Sequence, residues 1–158
     1  MIKVLDGIRV LDLGSYITAP YAAMLLAEMG AEVIKVERPG AGDPFRFHTS
    51  TSNSPFFLAY NRNKRGLTLD YTQPDGIEVL HAPIGEESGR AGYQRAPGRG
   101  GQTGHSTVRG VNRPVRFDGD NDSGFLPPPA MGEHSDEILG ELGLDGQRIA
   151  ELRSRKII

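Results

Sequence analysis

The chain has no cysteine. That excludes a disulfide framework, a thiolate metal site and a cysteine nucleophile. No stretch is long and apolar enough to span a bilayer. Lys3, Asp6, Arg9 and Asp12 interrupt any signal-peptide core in "MIKVLDGIRVLDLG", so the expectation is a soluble cytoplasmic protein. An excess of one charge is missing too: 18 Lys and Arg face 20 Asp and Glu, for a net charge of −2. The whole chain therefore offers no reason to expect nucleic acid or an acidic membrane surface as a partner. Apolar residues are also scarce, at 37% of 158 positions, while glycine (21) and proline (11) are abundant. Such a balance points to one domain's worth of chain, with a compact part joined to a poorly packed part.

Three stretches differ in kind. Residues 1–80 read as orderly α/β. "IRVLDL" (8–13) is a short strand broken by Gly14, and "TAPYAAMLLAEMG" (18–30) is a helix. Thr18 is its candidate cap, Pro20 falls in its first turn and Gly30 is its stop. Tyr21, Met24, Leu25 and Met29 recur at helical spacing. "AEVIKVE" (31–37) is the next strand, which makes a βαβ unit with parallel strands. "GLTLDY" (66–71) is a third strand after the polar run "NRNKR" (61–65), and Thr72 is a candidate cap for a further helix over 72–80.

Residues 81–112 are rich in glycine, show no period, and cannot bury enough to offset their ordering entropy. Arg90, Arg95, Arg99 and Arg109 lack the aromatic interleaving of an RNA-binding tail, so a linker is expected. Order returns over 113–158. "FLPPPAMGEH" is extended, "SDEILGELG" (135–143) is a helix with Ser135 as cap, and "DGQRIAELRSRKII" (145–158) is a second with Asp145 as cap. Helices this short need a partner surface. Docking on the 1–80 unit would bury Ile138, Leu139, Leu142, Ile149 and Leu152.

In an open parallel sheet, ligands bind beyond the carboxyl ends of the strands. There "GSYITAP" brings a helix N-terminus, and "ERPGAGDPFR" brings Arg38 with Gly40 and Gly42, which allow close backbone approach. Arg62, Lys64 and Arg65 add charge. A phosphorylated ligand fits this cradle. The competing reading is that Glu37 and Asp43 simply pair with the local arginines. No G-x-G-x-x-G and no Walker-type loop is present. Asp118, Asp120 and Asp122 lack EF-hand spacing, and His48, His81, His105 and His134 form no catalytic constellation. No metal site is expected.

"LDGIRVLDLGSYITAPYAAMLLAEMGAEVIKVERPGAGDPFR", "FFLAYNRNKRGLTLDY" and "PPPAMGEHSDEILGELGLDGQRIAELRSRKII" resemble the two ends of family III CoA-transferases, to which the α-methylacyl-CoA racemases are related. The resemblance implies an α/β fold: a partial Rossmann-like parallel sheet with flanking helices, closed by the C-terminal helices, plus a long irregular segment. It divides the chain into a CoA-binding part over 1–80, the linker over 81–112 and a packing segment over 113–158. It also implies an interlaced homodimer, with acyl-CoA and a carboxylic acid as substrates and no permanently bound cofactor.

Carried over by position, the CoA-contacting residues are Ile17, Thr18, Arg38, Leu69, Asp70, Tyr71 and Thr72. Arg38 is chemically the strongest, since a guanidinium grips phosphate or stacks beside adenine. Asp70 is equally readable as a solvated strand-end acid. The His134 of "GEH" suits helix entry better than catalysis. The family's nucleophilic aspartate belongs to a middle segment that the 81–112 stretch replaces, so no catalytic residue is assigned. The resemblance leaves open a CoA-transferase, a non-catalytic CoA-binding or dimer-interfering remnant, and, less favoured, a racemase.

Overall fold

The computed structural model describes residues 4–48, 54–82 and 126–158. The expected linker, apart from its first two residues, lies outside them, as do His105, Asp118, Asp120 and Asp122. Strands β1 (Arg9–Asp12), β2 (Glu32–Glu37) and β3 (Lys64–Thr68) form a parallel sheet in the order β1-β2-β3. Val10 lies beside Val33, and Val33 beside Lys64. Strand β3 therefore begins two residues earlier than its apolar pattern suggests. Lys64 and Arg65 belong to the strand's start, at the sheet end opposite the expected cradle.

Side chains alternate across a strand, so the register sorts the sheet into two faces. One carries Leu11, Ile34, Val36 and Leu67, and it is covered by three helices: α3 (Pro74–His81), α4 (Ser135–Glu141) and α5 (Gly146–Ser154). Ile138, Leu139 and Leu152 are buried there, with Leu142 and Ile149 packed alongside. Val10 and Val33 begin the other face, beneath Ala23 and Ala27 of α1 (Thr18–Glu28). Small alanines, rather than Tyr21, let α1 approach the sheet closely. Tyr21 lies outside, edge-on to Tyr60 of α2 (Pro55–Tyr60). Helix α2 was not legible from periodicity. It is too short, and its signal is the Ser54-Pro55 start, where Ser54 Oγ accepts from the Phe57 amide.

Three expected caps are different. Ile17 holds the cap position of α1 and Thr18 is its first residue, with no side-chain cap bond. Gln73, not Thr72, precedes α3. Ser135 lies inside α4, and its hydroxyl accepts from the Thr68 amide of β3 at 3.0 Å. The Ser135 hydroxyl serves the sheet's edge and the Thr72 hydroxyl a turn, instead of a helix. Asp145 does cap α5, accepting from the Arg148 amide at 2.8 Å. His134 enters α4 while binding β3: its Nδ1 accepts from the Gly66 amide (3.1 Å) and its own amide donates to the Gly66 carbonyl (2.9 Å). The outer edge of β3 is thereby paired rather than left open.

Glycines 76 and 140 both sit in helices, but their surroundings differ. A methyl at Gly76 would lie 2.0 Å from the Asp70 carbonyl oxygen, whereas one at Gly140 meets nothing within 4 Å. Gly76→Ala should therefore destabilise the fold by about 1–3 kcal/mol through overpacking. Gly140→Ala should stabilise it by roughly 0.5–1 kcal/mol through helix propensity. Urea unfolding of the two variants checks this opposition, and equal signs would contradict it.

Candidate functional site

Past Val10 and Val33, the α1 face of the sheet turns from apolar to charged. Asp12, Lys35, Glu37 and Lys64 all point to that side, and all are buried. A charge can remain there only if it is paired and hydrogen-bonded. Lys35 Nζ donates to Asp43 Oδ2 (2.9 Å) and to the Gly14 carbonyl, and lies 3.8 Å from Asp12 Oδ2. Lys64 Nζ donates to Asp12 Oδ2, Asn61 Oδ1 and the Pro20 carbonyl, each at 2.8 Å. Glu37 accepts from Arg46 Nη2 at 2.6 Å and from the Asp43 amide at 2.8 Å. Arg46 also donates to the Pro129 carbonyl at 2.9 Å and lies over the Phe57 ring.

These bonds shape the loops beyond the strands. Asp43 Oδ1 accepts from the amides of Phe45 (2.9 Å) and Tyr16 (3.3 Å), so one carboxylate fastens the loop after β1 to the loop after β2. Glu37 and Asp43 therefore do pair with basic residues, as the competing reading of the loop expected. Their partners are Arg46 and Lys35, and Arg38 is left over. Gly40 and Gly42 turn the loop at φ +70° and +62°, and Arg38 is exposed at its base.

Arg38 lines a cavity of about 450 Å³ with Pro39, Gly40, Ala41, Asp70, Thr72, Lys156 and Ile158. Three of its residues belong to the sequence-expected set: Arg38, Asp70 and Thr72. Asp70 Oδ1 accepts from the Thr72 hydroxyl (2.6 Å) and amide (3.0 Å). Those two bonds, then the Arg38 charge, hold the Asp70 carboxyl below the usual range. The Asp70 amide donates to the Ile157 carbonyl at 2.7 Å, which places residues 156–158 against the end of β3.

The remaining expected residues are placed elsewhere. Leu69 is fully buried in the core and its amide donates to the Glu37 carbonyl. Tyr71 is half-buried against the same core. Ile17 and Thr18 are exposed at the start of α1 and do not line the cavity. Arg62, Lys64 and Arg65, expected in the cradle, are committed elsewhere. Arg62 pairs with Glu28, Lys64 with Asp12, and Arg65 with Glu32, Glu137 and Glu141.

Cation pairing across the described residues is uneven. Arg9, Lys35, Arg46, Arg62, Lys64, Arg65, Arg148, Arg153 and Arg155 each have an ion pair. The two described cations without one are Arg38 and Lys156, and both line the cavity. Among the lining side chains, these two cations stand against one carboxylate, that of Asp70.

Comparisons with known proteins bear on this chain's first half. The family model for CoA-transferase family III matches residues 5–86. Succinyl-CoA:glutarate CoA-transferase of Mus musculus is 43% identical over 81 residues, covering 49% of this chain and 19% of that protein. Formyl-CoA:oxalate CoA-transferase of Rhodopseudomonas palustris is 48% identical over 87 residues, covering 53% and 20%. The crystal structure of a CAIB/BAIF family protein from Brucella suis is 31% identical, covering 53% of this chain and 24% of that one, with a TM-score of 0.49. The chain thus spans about a fifth of the length of the curated relatives it matches. Among the described residues, no helix is long and apolar enough to cross a membrane.

Burial pushes the Lys64 ammonium down to about 8, against the pull of Asp12. The unfolded chain keeps that proton up to its ordinary value near 10.5. Between the two values the unfolded state binds more protons, so stability should rise with pH across that window. The rise should be on the order of 1–3 kcal/mol, and Lys64→Met should lack it. Urea titrations of both proteins across the window test this. A wild-type slope no steeper than the variant's would remove Lys64 as its source.

Proposed function

The chain belongs to CoA-transferase family III, and from that premise we propose that residues 4–82 and 126–158 form part of the acyl-CoA-binding region of a CoA-transferase. Such an enzyme moves CoA between an acyl-CoA and a carboxylic acid. The observation that carries the proposal is Arg38: an exposed guanidinium with no ion pair, over a cavity shared with Asp70 and Thr72. A guanidinium without an ion pair, where nine other described cations have theirs, is available to a phosphate. The cavity's size suits part of a nucleotide rather than a whole CoA. Asp70 lines the same cavity, its Oδ1 bonded to the Thr72 hydroxyl and amide, with no ion pair to Arg38. Leu69 and Tyr71 contribute position, through the core, and Ile17 and Thr18 would meet a longer ligand at the next strand end.

Transfer chemistry of this kind needs an aspartate that attacks the thioester carbonyl, expels the CoA thiolate and forms a mixed anhydride. Every described aspartate is engaged in something else. Asp12 and Asp43 neutralise buried lysines, Asp70 holds Thr72, Asp75 and Asp136 pair with arginines, and Asp145 caps α5. Asp6 has a partner as well. Asp118, Asp120 and Asp122 lie outside the described residues, and the resemblance puts the family's nucleophile in the segment that 81–112 replaces; on that ground we read this 158-residue polypeptide as a CoA-binding, non-transferring form.

Two measurements test the proposal. Calorimetry should show CoA binding that weakens by about 1.5–3 kcal/mol in Arg38→Ala; equal affinities would remove Arg38 from the site. Incubation of the same chain with a panel of acyl-CoAs and acceptor acids should give no CoA transfer above background. A trapped aspartyl-CoA adduct on this chain would overturn the non-transferring reading.

A further inference from the structure

Three helices end in the same way. After α1, the amides of Gly30 and Ala31 donate to the carbonyls of Ala27 and Leu26. After α4, those of Gly143 and Leu144 donate to Gly140 and Leu139. After α5, those of Lys156 and Ile157 donate to Arg153 and Leu152. This paired 5→2 and 6→1 arrangement requires a left-handed residue just past the cap, a position glycine fills without cost. The first two sites obey, with Gly30 at φ +100° and Gly143 at φ +87°. The third holds Lys156 at φ +57°. A side chain there is strained, and such strain persists where the surroundings or a function over-determine it.

The surroundings do not require the lysine side chain. Lys156 is exposed, has no ion pair, and packs into neither core cluster; the apolar contact of this helix end is made by Ile157 and Leu152. What Lys156 does is line the cavity, together with Arg38 and the loop that follows it. We infer that Lys156 is a second phosphate-binding cation of this site, presented by the residues after α5 and acting with Arg38 on an anionic group of the ligand. The left-handed backbone turns residues 156–158 back toward β3, where the Ile157 carbonyl accepts from the Asp70 amide. Lys156 is thereby carried on an ordered wall, although its own side chain is long. Placing two unpaired cations around one cavity costs mutual repulsion, which a phosphate relieves. The inference rests on the CoA-binding reading and adds to it a residue beyond the sequence-expected set.

The full 158-residue chain is titrated with CoA by calorimetry at several salt concentrations, as wild type, Lys156→Arg, Lys156→Ala and Lys156→Gly. Lys156→Gly is the decisive variant, because it removes the cation and the backbone strain together. It should unfold at higher urea than wild type yet bind CoA about tenfold more weakly, with a shallower salt dependence. Lys156→Ala should lose affinity to the same degree, and Lys156→Arg should keep it. A purely structural role predicts the reverse, with affinity tracking stability. Wild-type binding with unchanged affinity and salt slope in the glycine variant would overturn the role of Lys156 and leave the CoA-binding reading standing. No binding of CoA by wild type would overturn that reading and, with it, this one.

Discussion

The pairing of Lys35 with Asp43, inside the sheet's α1 face, is the contact on which the rest of this structure depends. A central strand of a parallel sheet is buried on both faces and is ordinarily apolar throughout. Strand β2 departs from this at Lys35 and Glu37, which are buried among Asp12, Asp43, Arg46 and Lys64. Two consequences follow from taking these charges out of water. Every one must find its partner, because an orphaned buried charge costs several kcal/mol. Each partner also comes from a different segment, so satisfying the charges positions those segments. Lys35 gathers the Gly14 carbonyl after β1 and the Asp43 carboxylate after β2; Asp43 in turn gathers the amides of Tyr16 and Phe45. An apolar core would hold the same loops less specifically, since burial alone is non-directional.

The network also links the site to the distant part of the chain. Glu37, whose side chain is held by Arg46 and by the Asp43 amide, is the residue before Arg38. Arg46 reaches the Pro129 carbonyl, so the extended stretch before α4 is tied to the loop that carries the site. On the opposite face, α4 and α5 bury Ile138, Leu139 and Leu152 against Ile34, Val36 and Leu67. Residues 156–158 follow α5 and meet Asp70. The cavity therefore has walls from the loop after β2, the turn after β3 and the end of α5, each fixed by a separate contact. Losing any one leaves the others without a complete cradle.

How much of this was legible in the sequence follows from range. The strands, α1, α4 and α5 have local signals, such as apolar runs, Pro20 in a first turn and Gly30 or Gly143 at a helix end, and these located them to within a few residues. Arg38 was named from its place past a strand end and then, like Asp70 and Thr72, from resemblance; the structure brings all three to one cavity. The buried network was not legible, because Lys35 and Lys64 read as ordinary strand-flanking charges until the register sets them on one face with Asp12. The clue present was the period-two spacing of Lys35 and Glu37 inside a strand that should be apolar on both sides. The "NRNKR" run misled for the same reason. Its charges look like a solvated loop, but two of them begin β3, and Arg62, Lys64 and Arg65 are all matched to acids 33–76 residues away. Long-range pairing is invisible to a local pattern.

That matching gives a lone cation its meaning. On an ordinary surface an unpaired lysine or arginine says nothing, because exposed ion pairs contribute little and are often absent. Here nine of the described cations have found acids, in the core and on the surface alike. Glu37 is taken up by Arg46 and Asp43 by Lys35, while Asp70 stays in the cavity's lining, bonded to Thr72. Among the described residues, the two cations without an ion pair, Arg38 and Lys156, line one cavity at the end of the sheet. On the proposed reading, an anionic ligand entering there meets Asp70 as the one acidic side chain of the lining. Its recognition would draw on two cations that need not first be freed from an ion pair.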